Sequence, residues 1–181
     1  VQKALRIIGL EDVIIKYVSL DNSHRIRPDN LNELIEKDQA AGLNPFLVIA
    51  TAGTTDTGTI DPLNEIADIV EQHKLWLHVD GAYGGFFILT SKRNLFNGIE
   101  RADSLTIDPH KGLFLPYGVG AVLVKDANAV LHSNYYTANY MQDGYSEELL
   151  NSPANLSPEL TKHFRGLRVW LPLQFHGIEP F

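Results

Sequence analysis

The sequence predicts an α/β protein with a mostly parallel sheet flanked by helices. Short apolar runs alternate along the chain with segments of helical periodicity. The run at residues 46–50 is continuously apolar, which is typical of strands buried on both faces of a parallel sheet. Asp80 and Lys111 each follow such a run, and the carboxyl ends of parallel strands meet at one edge of a sheet. We therefore expect these two residues to face one pocket.

The composition is that of a globular protein of ordinary polarity. The 181 residues are 44% hydrophobic and 20% charged, which suits one domain with a sizeable core. A net charge of −7 without a Lys/Arg cluster disfavours a nucleic-acid partner. No apolar run approaches the roughly 18–20 residues of a membrane span, so we expect no membrane association and a cytoplasmic location. Because the first residue is not Met, we expect an internal fragment of a longer protein.

The first half of the chain predicts two strands and two helices. Residues 13–18 are β-branched and aromatic and predict a strand. Asp29 or Asn30 is expected to cap a helix that runs through Ala41 and ends at Gly42. The apolar strand at 46–50 leads into a threonine-rich loop. After that loop we expect Asp61 as N-cap and Pro62 as the first residue of a helix, whose core face holds Leu63, Ile66, Ala67 and Val70.

The second half predicts three more strands, giving five in all. They lie at residues 75–80, 104–107 and 119–124, and we expect all five to be of the parallel type. A short surface helix is expected at residues 91–99. The periodicity fails over residues 131–155, which predicts a long loop of the kind that forms lids. A final helix is expected over residues 157–170, with Pro172 as a kink.

Asp80 and Lys111 together indicate pyridoxal phosphate chemistry. An amine forms a Schiff base with the cofactor aldehyde, and a carboxylate keeps the ring nitrogen protonated so that the ring accepts electrons. Taken singly, each residue has an ordinary explanation, as a turn former or cap for Asp80 and a solvated loop charge for Lys111. Their occurrence in this order, each directly after an apolar strand, favours the cofactor site. No metal site is expected, since His110 has no partner ligand at a suitable spacing.

Five stretches carry a family resemblance, namely residues 40–46, 50–55, 78–84, 108–111 and 163–170. In these stretches the chain resembles the group II pyridoxal-phosphate-dependent amino-acid decarboxylases. The resemblance implies the large domain of the aspartate-aminotransferase-like fold, fold type I. It assigns residues 1–155 to part of that domain and residues 156–181 to a helix leading towards a smaller domain. It also implies decarboxylation of an L-amino acid to its amine, in a homodimer.

The resemblance also assigns roles to six residues. Lys111 is implied as the Schiff-base lysine and Asp80 as the partner of the ring nitrogen. Ala82 is the small residue against one face of the ring, and Thr55 lies near the ring. The remaining two, Asp108 and His110, are implied near the cofactor phosphate and ring. The family often has Asn at the position of Asp108, and a second carboxylate would repel a phosphate.

One part of the family pattern is displaced in this chain. In the family, a tyrosine on a mobile loop returns a proton to the α-carbon after carbon dioxide leaves. Its usual place falls near Pro153, so Tyr140 or Tyr145 would have to substitute. Two alternatives therefore stay open. One is a different pyridoxal-phosphate reaction, that of a lyase, an aminotransferase or an oxidative deaminase. The other is a catalytically inert fragment or assembly module.

Overall fold

A computed structural model describes residues 1–136 and 152–181. The chain divides into two units, Val1–Pro45 and Phe46–Phe181. Tyr140 and Tyr145, the two tyrosines predicted to return the proton, lie outside the described residues. No helix in the described ranges has the length and hydropathy of a membrane span. The same residues contain no group of three or more His, Cys, Asp or Glu side chains placed to hold a metal ion.

The first unit contains helices α1 (Gln2–Ile7) and α2 (Pro28–Ala40). The N-cap of α2 is Arg27, so the prediction of Asp29 or Asn30 as cap is wrong. Asn30 instead accepts a hydrogen bond from the backbone N–H of Ser19 at 2.9 Å. Proline at the first helical position needs no capping partner for its own nitrogen, which explains why the helix begins there. Gly42 has φ +79°, as expected of the residue that ends this helix.

The predicted strand at residues 13–18 is wrong. The segment is not helical, but it pairs with no strand among the described residues, and the only bridge nearby joins Leu20 to Ile26. β-Branched residues favour an extended backbone, whereas a strand also requires a partner that satisfies its N–H and C=O groups. Local composition predicts only the first of these requirements.

The second unit is built on a four-stranded sheet in the order β1-β2-β3-β4. The strands are β1 (Leu47–Thr51), β2 (Trp76–Asp80), β3 (Ser104–Ile107) and β4 (Ala121–Val124). β1, β2 and β3 are parallel, while β4 is antiparallel to β3. The prediction of five parallel strands is therefore wrong, because the sheet has four strands among the described residues and one of them is antiparallel. Ala121 is the Cα partner of Ile107, so the chain re-enters the sheet at the edge where β3 leaves it.

One face of the sheet packs against helix α3 (Leu63–His73). The predicted core face of α3 is confirmed, since Leu63, Ile66, Ala67 and Val70 are all buried. The predicted cap is wrong because the N-cap is Pro62. Asp61 is buried, and its carboxylate accepts a hydrogen bond from the Thr51 N–H at 2.7 Å. Burial alternates along β1, so the expected burial on both faces does not hold for this strand.

Short elements complete the described chain. The predicted surface helix at 91–99 is two 3₁₀ turns, Arg93–Phe96 and Ile99–Arg101, with Phe96 buried. A further 3₁₀ turn spans Gly85–Leu89. The other elements are α4 (Pro109–Gly112), α5 (Ala127–Asn134), a 3₁₀ turn at Pro153–Leu156 and α6 (Leu167–His176).

The last helix begins ten residues later than the predicted start at residue 157, at Leu167. Residues before it are held by local contacts instead, such as the ion pair between Arg165 and Glu159 at 2.9 Å. Pro172 lies inside this helix. The predicted domain division between residues 155 and 156 stays a prediction.

Candidate active site at the carboxyl edge of the parallel strands

Three chain segments follow β1, β2 and β3 at the same edge of the sheet. They are the loop at residues 52–60, the turn at residues 81–85 and helix α4. Asp80, the last residue of β2, is the Cα partner of both Thr51 and Thr106 on the neighbouring strands. All six residues that the sequence singled out lie at this edge: Thr55, Asp80, Ala82, Asp108, His110 and Lys111.

The first two segments touch through a pair of glycines. A Cβ atom built on Gly53 would lie 2.6 Å from the Cα of Gly84, and a Cβ on Gly84 would lie 2.6 Å from the Cα of Gly53. Side-chain carbons do not approach backbone this closely, so both positions require glycine. The contact holds the loop with Thr55 at its exposed tip against the turn that follows Asp80. This pairing of glycines was not predicted from the sequence.

Asp80 presents a carboxylate at the end of β2. Its Oδ1 accepts a hydrogen bond from the N–H of Ala82 at 3.0 Å, which fixes the side chain over the turn. The residue is exposed, and no Lys, Arg or His of the described ranges lies within salt-bridge distance of it. This carboxylate is therefore open to a cation that the described residues do not supply.

Lys111 lies on α4, a single helical turn that begins after Asp108. Its backbone N–H donates to the Asp108 carbonyl at 2.8 Å, and Pro109 occupies the first helical position. Its Nζ lies 2.7 Å from Oδ2 of Asp108. The side chain of Asp108 is 15% exposed and that of Lys111 is 39% exposed. The amine thus emerges from the edge of the sheet beside a carboxylate that is mostly shielded.

His110 is turned towards the loop before β4. Its Nδ1–H donates to the carbonyl of Val119, and its ring meets the ring of Tyr117 edge-on at a centroid distance of 5.2 Å. The carbonyl of Tyr117 accepts a hydrogen bond from Nη1 of Arg168 on α6 at 3.0 Å. Helix α6 therefore supports the loop that orients His110.

A polar network lies beneath Asp80 on the same face of the sheet. The Nδ1 of His78 lies 2.8 Å from the Ser104 hydroxyl, which also accepts from the indole N–H of Trp76 at 2.8 Å. Burial lowers the pKa of His78, and the charge of Asp80 opposes part of that shift. The Thr106 hydroxyl lies 3.3 Å from Nε2 of His78 and joins the network. None of these residues was predicted from the sequence as part of the site. The spacing of two residues between Ser104 and Thr106 along β3 is the signal that could have found that pair.

A concavity on this face has a volume of about 520 Å³. It is lined by Phe46, Leu47, Ile49, Trp76, His78 and Ser104. Neither Asp80 nor Lys111 lines it. The concavity follows the sheet face below the edge at which the amine and the carboxylate lie.

Known proteins of one family match this chain over all or nearly all of its length. Residues 1–181 match the pyridoxal-dependent decarboxylase conserved domain. An aromatic-L-amino-acid decarboxylase of Bacillus atrophaeus is 40% identical over 185 residues, covering 100% of this chain and 38% of the relative. The crystal structure of mouse CSAD has a TM-score of 0.88 and 34% identity, covering 98% of this chain and 37% of that one.

A third similar protein was solved with ligands. The crystal structure of Oryza sativa TDC with PLP and tryptamine has a TM-score of 0.86 and 28% identity, covering 98% of this chain and 37% of that one. The chain therefore spans little more than a third of the length of the relatives it matches.

Proposed function

The chain belongs to the pyridoxal-dependent decarboxylase family, and from that premise we propose that the protein decarboxylates an L-amino acid to its amine with pyridoxal phosphate as cofactor. The observation that carries this proposal is that the Asp80 carboxylate ends β2 and the Lys111 amine lies on the helical turn after β3, the neighbouring parallel strand. The fold supports it, since the chain shares its architecture with the solved structures named above, one of which holds PLP.

The residues at this edge suit the cofactor. When bound, pyridoxal phosphate supplies an electron sink for the pair of electrons released as carbon dioxide leaves. Lys111 would hold the cofactor through its amine. Asp80, which is exposed and lacks a cationic partner among the described residues, would keep a proton on the ring nitrogen. Ala82 leaves room for the ring, because its single methyl group projects no further than Cβ.

Three other residues complete the proposed site. Thr55 is held near the turn after Asp80 by the glycine contact described above, so its hydroxyl is available to the ring or to its Asp80 partner. His110 adjoins Lys111, and its hydrogen bond to the Val119 carbonyl fixes its ring. Asp108 belongs to the site through its contact with Lys111. The residue that returns a proton to the α-carbon is predicted to be Tyr140 or Tyr145.

The substrate belongs to the L-amino acids, and the choice among them stays open. The relatives named above are an aromatic-L-amino-acid decarboxylase, CSAD and TDC, so the matching region is shared by enzymes of different names. We extend the proposal to a homodimer, as the resemblance implies. Exposed aromatic side chains such as Phe114 and Phe175 offer apolar surface for such contacts. The cytoplasmic location stays a prediction from composition.

A product assay tests the proposal. The protein is incubated with pyridoxal phosphate and a panel of L-amino acids, and carbon dioxide and amine are quantified together. We expect equal amounts of both products, no turnover in Lys111→Ala, and a rate lowered about 10²-fold or more in Asp80→Asn. Lys37→Ala removes an exposed lysine of α2 and is expected to retain full activity, which makes it the matched control.

Other outcomes of that assay would contradict the proposal in distinct ways. A keto acid or an aldehyde without the amine would assign another pyridoxal-phosphate reaction to the same site. Turnover that survives in Lys111→Ala would remove the lysine from the mechanism. Absence of turnover with every amino acid, in folded protein that carries the cofactor, would overturn the decarboxylase assignment.

A further inference from the structure

We propose that Asp108 is a positioning residue that holds the Lys111 amine in an ion pair and thereby sets how fast that amine reacts. The inference deepens the proposed function, because the amine in question is the one assigned to the cofactor. It does not depend on the cofactor for its evidence, since both partners belong to this chain. The ion pair is direct, with Nζ of Lys111 lying 2.7 Å from Oδ2 of Asp108.

The local backbone explains why the Asp108 carboxylate is free to make this contact. Asp108 is the N-cap of α4, where an aspartate side chain usually accepts from a backbone N–H of the first turn. Here the side chain makes no capping hydrogen bond. The Asp108 backbone carbonyl instead accepts from the N–H of Lys111 at 2.8 Å and of Gly112 at 3.2 Å. The carboxylate therefore turns along the helix to the lysine three residues on.

The surrounding structure has space for the carboxylate at this position. A Cβ atom built on Gly120, the residue before β4, would lie 2.8 Å from Oδ1 of Asp108. Any side chain at residue 120 would displace the carboxylate or move the strand. Glycine at residue 120 therefore leaves the space in which the Asp108 carboxylate lies beside Lys111.

This arrangement gives Asp108 a role other than contact with a phosphate. A carboxylate beside a phosphate is repelled by it, whereas a carboxylate beside an ammonium group attracts it. The 2.7 Å contact holds the Lys111 amine against the Asp108 carboxylate. An amine held in this way is restricted in its approach to an electrophile. Asp108 therefore keeps the Lys111 side chain in place and slows the reactions of its amine until another group replaces the carboxylate as its partner.

Competitive acetylation in the absence of cofactor tests the ion pair. The protein is treated with a trace of acetic anhydride, and peptide mass spectrometry gives the acetylation rate of Lys111 relative to Lys37, the exposed internal standard. We expect Lys111 to react about three- to fivefold faster in Asp108→Asn than in the parent protein. Gly120→Ala, which displaces the carboxylate without removing it, is expected to raise the rate in the same direction.

Salt provides a readout that needs no substitution and that a purely structural role would not change. Raising the ionic strength from about 0.05 M to about 1 M screens a partly exposed ion pair. We expect the relative rate of Lys111 to rise with salt in the parent protein and to stay constant in Asp108→Asn. A rate at Lys111 that is independent of salt and unchanged in both variants would overturn the inference, and circular dichroism establishes that each variant is folded.

The decarboxylase proposal and the ion-pair proposal can be contradicted independently of each other. Acetylation needs no cofactor, so a failed decarboxylase assay leaves the ion pair standing if Lys111 responds to Asp108→Asn and to salt. A second experiment connects the two proposals. It follows the rate at which the protein binds pyridoxal phosphate, by the absorbance of the bound cofactor. We expect faster capture in Asp108→Asn. Slower capture in that variant, together with unchanged acetylation, would show that Asp108 serves the cofactor directly and would refute the role proposed here.

Discussion

Substitution of Gly84 by alanine tests whether the contact between the loop after β1 and the turn after β2 is as close as the structure has it. The added Cβ would lie 2.6 Å from the Cα of Gly53 and 2.7 Å from the carbonyl oxygen of Ala52. Both are backbone atoms, so no rotamer change relieves the conflict. Gly84 has φ −92°, which alanine adopts readily, so the effect is steric rather than conformational.

The magnitude follows from two opposing contributions. Replacing glycine by alanine at a compatible backbone position stabilises a protein by about 0.4–1 kcal/mol, because the unfolded chain loses freedom. Overpacking a closely packed site costs about 1–3 kcal/mol. The cost lies in the upper half of that range, about 2–3 kcal/mol, because the conflict is with backbone, so we expect a net loss of about 1–2.6 kcal/mol. For a chain of this length that loss lowers Tm by about 2–10 °C.

Urea denaturation and thermal unfolding of the parent and the variant give the measurement, with Gly166→Ala as the matched control. Gly166 has φ −56°, and a Cβ there would meet its nearest neighbour, the Phe164 ring, at 3.5 Å, which is an ordinary contact. The control is expected to be neutral or stabilising by up to about 1 kcal/mol. Equal stabilisation by both substitutions would refute the close contact between Gly53 and Gly84.

Three further predictions concern stability. Ile66→Ala, at a fully buried position of α3, is expected to cost about 2–5 kcal/mol in urea denaturation, against about 0.5 kcal/mol for the exposed Ile7→Ala. Burial lowers the pKa of His78 below its ordinary 6.5. As the pH falls through that value, His78 is therefore protonated in the unfolded chain before it is protonated in the folded chain. The free energy of unfolding should therefore fall between about pH 7 and about pH 5, and less so in His78→Gln. Arg101→Met removes a guanidinium that pairs with two carboxylates of α3 at 2.7 and 2.9 Å, and we expect a small loss of stability at low salt that shrinks at high salt. No loss at low salt would contradict this prediction.

Patterns of burial were predictable from the sequence, and hydrogen-bond partners were not. The core face of α3 was confirmed because apolar periodicity reports directly which side of a helix is buried. The caps were wrong because Asn30 and Asp61 are each engaged by a distant backbone N–H, of Ser19 and Thr51 respectively. A side chain that suits a cap also suits any other unpaired donor, and local sequence does not distinguish them.

The pairing and the direction of the strands also could not be predicted from the sequence. Residues 13–18 carry the composition of a strand but have no partner strand in the described part of the chain. β4 was expected to be parallel, yet it returns beside β3 from the edge that holds Lys111. Whether a connection crosses the sheet or turns back depends on packing between distant segments, which a local pattern does not encode.

The candidate site was found from strand ends, and its detailed contacts came from the structure. Asp80 and Lys111 stood out because each belongs to a motif at the end of an apolar run. The structure places Asp80 at the end of β2 and Lys111 on the helical turn after β3, the neighbouring parallel strand. The contact between Gly53 and Gly84 joins residues far apart in sequence, so only the fold reveals it. The pair of Asp108 and Lys111 has helical spacing, which becomes a signal once residues 109–112 are known to form a helical turn.

Reductive trapping of the lysine tests whether Lys111 and Asp80 together hold pyridoxal phosphate. The protein is mixed with pyridoxal phosphate, reduced with borohydride and digested, and the modified lysine is located by peptide mass spectrometry. Selective labelling of Lys111 that is lost in Asp80→Ala is the result we predict. Labelling scattered over exposed lysines such as Lys37, or equal labelling of Lys111 in Asp80→Ala, with both proteins shown to be folded, would contradict the account.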